Sequence, residues 1–214
     1  MGAITTAHWE HFKTINSNRR AIRDFEDEQI SDQDIKEILQ EVFLAPSSGN
    51  IQPYEIHWIK DPVLKEQVAK ACNGQRAASS ASTLFVIVSG THIVKKSLRG
   101  YAVYTEQSTS LNERSKAFNR KIFTTLNKFL KFAPFVFWTP LVGFFSMLLP
   151  ALSLLPVGAL GVRQWVARNS IFAAQNLLLA TVAKGYDACP MEGFNAQKIA
   201  AVLKLPYGSV IPVV

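Results

Sequence analysis

The apolar positions Ile35, Ile38, Leu39, Val42 and Phe43 recur at i, i+3, i+4, i+7 and i+8, the spacing of one face of an α-helix. Ser31 stands where an N-cap belongs, and Asp32 and Asp34 fall in a first turn whose dipole favours acids. Pro46 is expected to end this helix, and Ser47-Ser48-Gly49-Asn50 to form a loop. A shorter helix is predicted over 7–16, and another opens at Asp61-Pro62 with proline at its first position. Aromatic and β-branched residues fill 54–60, which reads as a strand. Leu84-Phe85-Val86-Ile87-Val88, continuous and bounded by Ser and Gly, reads as a buried one. Residues 163–184 predict a long helix stopped by Gly185. Asn195 caps a last short helix, Pro206 follows its end, and 209–214 has strand composition. With no internal repeat and no low-complexity linker, the chain reads as one domain over 1–214 with an insertion at about 95–162.

That insertion has two parts of opposite character. Between Lys95 and Lys131, nine Lys and Arg stand against two Glu, which accounts for the whole net charge of +7. The basic part is predicted to be helical for much of its length. It lacks the interleaved aromatics or Arg-rich motif of a nucleic-acid module, so nucleic acid is not an expected partner. From Phe132 to Val162 the next 31 residues carry no charge. Length alone would suit a membrane span, but Pro134, Pro140, Pro150 and Pro156 break the run. A single crossing would also separate segments that must fold together, and two crossings need roughly 40 apolar residues. Two readings stay open: a lid or dimer-packing arm, or a peripheral membrane contact in which Lys95–Lys131 meet anionic headgroups.

Composition adds the class. With 214 residues, 48% hydrophobic and 18% charged, the chain can bury a sizeable core and is no solvated tail. Cys72 and Cys189 have no metal or redox spacing, which argues against a disulfide scaffold or a zinc site and suits a reducing compartment. The opening MGAITTAHWE lacks both a basic and an apolar region, so no secretory signal is expected and the location reads as cytoplasmic. Gly2 with Thr6 makes only a partial match to an N-myristoylation pattern. His8, His11, His57 and His92 show no spacing suited to a metal or a triad. No GxGxxG follows a strand, so a Rossmann site is not supported.

Three segments carry candidate chemistry. Arg19-Arg20-Ala21-Ile22-Arg23-Asp24-Phe25 concentrates planar forked donors suited to phosphate; alone, it fits a solvated basic turn equally well. Ala45-Pro46-Ser47-Ser48-Gly49-Asn50-Ile51-Gln52-Pro53 combines small hydroxyls with an amide that can both donate and accept; alone, it is a turn. Tyr186-Asp187-Ala188-Cys189-Pro190-Met191-Glu192-Gly193-Phe194 leads into a glycine, which permits close approach to the backbone.

Together, in this order, the three segments resemble those of the nitroreductase family: its R-R-x-x-R/K-x-F opening, its A-P-S-x-x-N-x-Q-P-W/Y loop and its P-x-E-G-F/Y segment. The loop is the most specific of the three. The resemblance implies an α+β fold with a central mixed, mostly antiparallel sheet flanked by helices, and an obligate dimer. The core helix Ala173–Ala180 has the same look. It further implies a bound FMN and NAD(P)H as co-substrate, with electrons passing by a ping-pong mechanism to nitro compounds, quinones or a similar small-molecule acceptor. Arg19 and Arg20 would approach the ribityl phosphate and Arg23 the pyrimidine edge, while Ala21 stands where many relatives have Ser. Pro46, Ser47, Ser48, Asn50 and Gln52 would reach the flavin bound mainly by the other subunit, so the homodimer shares its site. Pro190 and Met191 would run beside the isoalloxazine. As catalytic contacts, Gly193 would place its N–H near N5 and Glu192 would position nicotinamide or acceptor. Asn73 and Gln75 lie in a region that often supplies a polar contact to the flavin.

Family members usually continue past Ser209–Val214 with a basic phosphate contact and a segment wrapping the partner. The resemblance therefore predicts either a truncated sequence or heavier reliance on Arg19 and Arg20. Two alternatives remain: a flavin-binding or membrane-associated interaction protein with little turnover, and a same-fold dehalogenase or dehydrogenase.

Overall fold

The computed structural model describes residues 6–214; Gly2, with its partial N-myristoylation match, lies outside them. The first helix, α1 (Thr6–Asn18), buries no side chain. In α2 (Asp32–Val42) the Ser31 hydroxyl accepts from the Asp34 N–H at 3.0 Å, and Ile35, Ile38 and Val42 turn inward. The helix ends before Pro46, in a turn where the Leu44 and Ala45 N–H groups bond back to Glu41 and Val42. Phe43 thus leaves the apolar face and is exposed.

Strand β1 (Tyr54–Ile59) leads to α3 (Pro62–Ala71), whose Asp61 cap accepts from the Leu64 N–H at 2.7 Å. Then come α4 (Arg76–Ser80) and β2 (Leu84–Ser89). The basic segment forms α5 (Thr91–Gln107) and α6 (Glu113–Phe132). The apolar segment forms α7 (Trp138–Leu148), a 3₁₀ turn at Pro150–Leu154, and the start of α8 (Gly158–Ala183). That long helix begins five residues before the expected 163, since Gly158 at φ +79° makes the turn into it. It ends as expected: Gly185 has φ +87°, and the Tyr186 and Gly185 N–H groups return to Thr181 and Val182, the paired bonds of a glycine C-cap. Helix α9 (Ala196–Val202) and β3 (Val210–Val213) complete the described residues.

The three strands lie in the order β1-β2-β3, both pairs antiparallel, with Tyr54 opposite Ser89 and Ile59 opposite Leu84. One parallel bridge joins Ala21 to Ala188. The sheet is therefore mostly antiparallel with helices around it, the α+β class expected. Pro212 sits in β3, an edge strand where a missing N–H costs no ladder bond. Alternation along β2 sorts two cores: Leu84, Val86 and Val88 pack with Val68, Ala77 and Ile199, while Ile87 packs with Ile38, Val42 and Ala173. Each fully buried valine contributes about 1.5–3 kcal/mol. A third cluster, Val94, Leu98, Phe123, Leu130 and Val166, ties α5 and α6 to α8.

Candidate functional site

The third chemical segment is held in place on every side. The Ile22 N–H donates to the Ala188 carbonyl at 3.3 Å, the bridge that joins it to the arginine segment. Met191 and Val214 exchange both backbone bonds, at 2.8 and 3.1 Å. Beyond them the chain turns tightly: the Phe194 N–H reaches the Glu192 carbonyl at 3.0 Å, and the Asn195 N–H reaches Ala71 at 2.8 Å. The Gly193 carbonyl accepts from the side-chain amides of Asn73 at 3.0 Å and Gln75 at 2.8 Å. Asn73 and Gly74 both adopt left-handed backbone, which turns the chain after α3 back toward this point. A Cβ added at Gly193 would lie 3.3 Å from Gln75 Nε2, so the close approach belongs to a residue without one. Among the described residues the Glu192 and Gly193 N–H groups find no acceptor. The turn is thus fixed through its carbonyl oxygens while two donors remain free.

Arg19, Arg20 and Arg23 make no ion pair among the described residues. Arg20 spends one donor on the Arg19 carbonyl at 2.9 Å. Their acidic neighbour Asp24 is taken by Arg76, which grips it at 2.6 and 2.7 Å; the carboxylate in turn holds the Arg76 guanidinium above its ordinary pKa. The Phe25 N–H donates to Ser80 Oγ at 3.0 Å. Helix α4 therefore anchors the segment and takes up the carboxylate next to Arg23.

The loop at 46–52 is equally well built, from other partners. Ser47 Oγ accepts from the Gln52 N–H at 2.9 Å, and the Gln52 amide donates to the Phe43 carbonyl at 2.6 Å. The Ser48 N–H donates to Asn169 Oδ1 at 2.7 Å, a buried amide on α8 whose own Nδ2 is tied to the Trp165 carbonyl. Gly49, Asn50 and Gln52 all have positive φ, near 60°, 54° and 47°, conformations that cost a non-glycine residue about 1–3 kcal/mol. The result is that the Asn50 side chain stands exposed with no partner among the described residues. Pro46 and Ser48 are also exposed.

The structure thus brings together the arginine segment, Asn73, Gln75 and Pro190–Gly193. Among the described residues no hydrogen bond links the 46–52 loop to that group. Within it, Ala21 is exposed beside its bridge, Pro190 and Glu192 are exposed, and Met191 is buried in the core with both backbone groups engaged. Sequence reading missed Asn169, Arg76 and a cluster around Asp34. There the Tyr186 hydroxyl donates to the carboxylate at 2.9 Å, and Lys184, paired with Asp34 at 3.0 Å, also bonds Glu37. Hydrogen bonds from Ser31, Lys184 and Tyr186 lower the Asp34 pKa to about 2. This cluster fixes the exit of α8, and so the start of the Tyr186–Phe194 segment. A cavity of about 330 Å³ adjoins the same segment, but Asp24, Glu26, Glu28 and Asp187 line it and the three arginines do not. Its chemistry does not suit a phosphate.

A model of the Nitroreductase family matches residues 17–213. Protein DrgA of Synechocystis is 27% identical over 190 residues, covering 88% of this chain and 74% of its own. An NADH dehydrogenase of Thermus thermophilus is 23% identical over 200 residues, covering 94% of this chain and 82% of its own. Among solved structures, a protein of Exiguobacterium sibiricum described as a nitroreductase, in complex with FMN, superposes with a TM-score of 0.72 at 20% identity. It covers 100% of this chain and 87% of its own. At that identity the likeness speaks for the fold.

Proposed function

Since the chain belongs to the nitroreductase family, we propose that it is an FMN-dependent oxidoreductase that takes electrons from NAD(P)H and delivers them to nitro compounds, quinones or a similar small acceptor. The observation that carries this reading is the placement of Gly193. Its carbonyl is clamped by Asn73 and Gln75, and its N–H points to no protein acceptor among the described residues, in a segment bridged to three unpaired arginines. Such a preset donor suits the acceptor nitrogen of a flat redox ring, and the arginines suit a dianion at its other end. Bound FMN would supply the two-electron chemistry, in two half-reactions at one ring face.

The chain's own residues then divide the work. Arg19 and Arg20 hold the phosphate, and Arg23 places positive charge at the pyrimidine edge. Gly193 orients the ring through its N–H. Glu192, exposed beside it, positions nicotinamide or acceptor. Asn73 and Gln75 act as positioning residues, because their amides are spent on the Gly193 carbonyl. The 46–52 loop leaves its Asn50 amide exposed and makes no hydrogen bond to this group among the described residues, which supports a homodimer in which each loop completes the other protomer's site.

The purified protein should be yellow, or become so with FMN, and NAD(P)H should bleach its flavin absorbance without oxygen. A folded protein that stays colourless after reconstitution would overturn the reading.

A further inference from the structure

We propose that the apolar projection built from α7 and the 3₁₀ turn after it docks the protein on the surface of an anionic lipid bilayer. Of the twenty-five large hydrophobic side chains that stay exposed among the described residues, fourteen lie between Phe132 and Leu160. Helix α7 buries none of its residues and contains no charge. Phe137, Val136, Met147 and Leu148 are each at least 70% exposed, far beyond what scattered surface residues explain.

The projection is rigid at its root. The Gly158 N–H closes it on the Ala133 carbonyl at 2.7 Å, the Ala159 N–H bonds Thr139 Oγ1 at 3.0 Å, and Arg168 holds the Leu154 carbonyl at 2.9 Å. A Cβ at Gly158 would meet Thr139 Oγ1 at 2.8 Å, so helix and root are in direct contact. A fixed knob of this kind keeps its apolar side chains outside whether or not anything covers them.

Two observations choose lipid over a second copy of the chain. At 3.6 residues per turn, the exposed apolar positions of α7 run from Met147 round through Phe144 and Leu141 to Trp138, roughly half the circumference of the helix. A protein partner covers a stripe, whereas a fluid phase wets the whole arc. The root also carries uncompensated cations. Lys95, Arg99, Asn127 and Lys131 line a shallow notch of about 310 Å³ at the end of α6, and Lys128 is their neighbour in that helix. None of these basic residues makes an ion pair among the described residues. A two-fold contact between copies would bring this positive collar against itself, while an anionic headgroup layer complements it. No helix among the described residues is long and apolar enough to cross a membrane, so the contact is interfacial. The docking does not depend on flavin being bound.

The full chain is mixed with vesicles of phosphatidylcholine alone, or with added phosphatidylglycerol, and sedimented at low and high salt. Binding should need phosphatidylglycerol and weaken about tenfold or more as salt shortens the screening length. Lys128→Glu with Lys131→Glu should weaken binding similarly, and Phe137→Glu with Leu148→Glu should abolish it, circular dichroism showing both folded. Brominated lipid should quench Trp fluorescence in the parent and not in Trp138→Phe. Absence of sedimentation with phosphatidylglycerol vesicles at low salt overturns the proposal. So does a Phe137→Glu, Leu148→Glu protein that binds vesicles normally but falls from dimer to monomer, because the projection would then be a subunit contact.

Discussion

The side-chain amide of Gln75 donates to the carbonyl oxygen of Gly193 at 2.8 Å, joining residues 118 apart in sequence. With Asn73 on the same oxygen, it fixes the Gly193–Phe194 peptide, next to the two that carry the free Glu192 and Gly193 N–H donors. Gln75→Ala should therefore loosen FMN about fivefold, the worth of one net hydrogen bond. Gln75→Glu, which faces a carboxylate to that carbonyl, should loosen it further. Flavin fluorescence titration gives the affinities, and the absorbance of bound flavin should shift because the ring environment moves. Unchanged affinity and spectrum in both variants would reduce the contact to loop support.

A site divided between subunits has a distinctive consequence. Arg20→Ala removes a cation from one half, and Asn50→Ala removes the exposed amide from the other. Each homodimer should bind FMN about tenfold more weakly or worse. Unfolding and refolding the two together produces heterodimers with one intact site and one doubly damaged site. Those heterodimers should recover about half the parental FMN stoichiometry. No recovery in a mixture shown to contain heterodimers would place both residues on one protomer's site.

Asp34 makes the stability of the α2–α8 junction depend on pH. Its folded pKa is lowered to about 2 from the ordinary 3.8, first by Ser31, then by Lys184 and Tyr186. A depressed carboxylate stabilises above its unfolded value, and the contribution disappears as pH falls through the folded one. Lys184 is shifted the other way, raised by its bonds to Glu37 and Asp34, so its share is lost only in strong alkali. The Tm difference between the parent and Asp34→Asn should be level from about pH 5 to pH 9 and shrink between about pH 4 and pH 2. A difference that stays constant down to pH 2 would mean that Asp34 is not held ionised by this cluster.

The parts of the fold written locally were the legible ones. Ser31, Asp61 and Asn195 cap the helices they precede, and Gly185 ends α8, because a cap or a left-handed turn needs only residues within one turn of chain. The three chemical segments were legible as a set for a different reason, their order and residue types together. What escaped was long-range. Nothing near Arg76 announces that it will take Asp24, leaving Arg23 free. The start of α8 was also hidden, because the apolar run continues into it without a cap and only the contact of Gly158 with Thr139 marks the boundary. The Gln52 amide matched a cofactor loop, and in the fold it is committed to the Phe43 carbonyl.

Asn169 is the clearest of these hidden residues, and it can be tested against a near twin. It sits in α8 with 5% of its surface exposed, accepting from the Ser48 N–H and donating to Trp165. Asn176, two turns on, donates to the Glu41 carbonyl at 3.2 Å from a more open position. Asn169→Ala strands a backbone donor in a loop already strained by Asn50 and Gln52, so it should cost about 1–3 kcal/mol in urea unfolding. Asn176→Ala frees a carbonyl that water can reach and should cost less than about 1 kcal/mol. The first variant should also weaken FMN, since the Ser48–Asn50 turn loses its anchor, and the second should leave binding unchanged. Equal costs with equal FMN affinity would show that the loop holds its shape without α8.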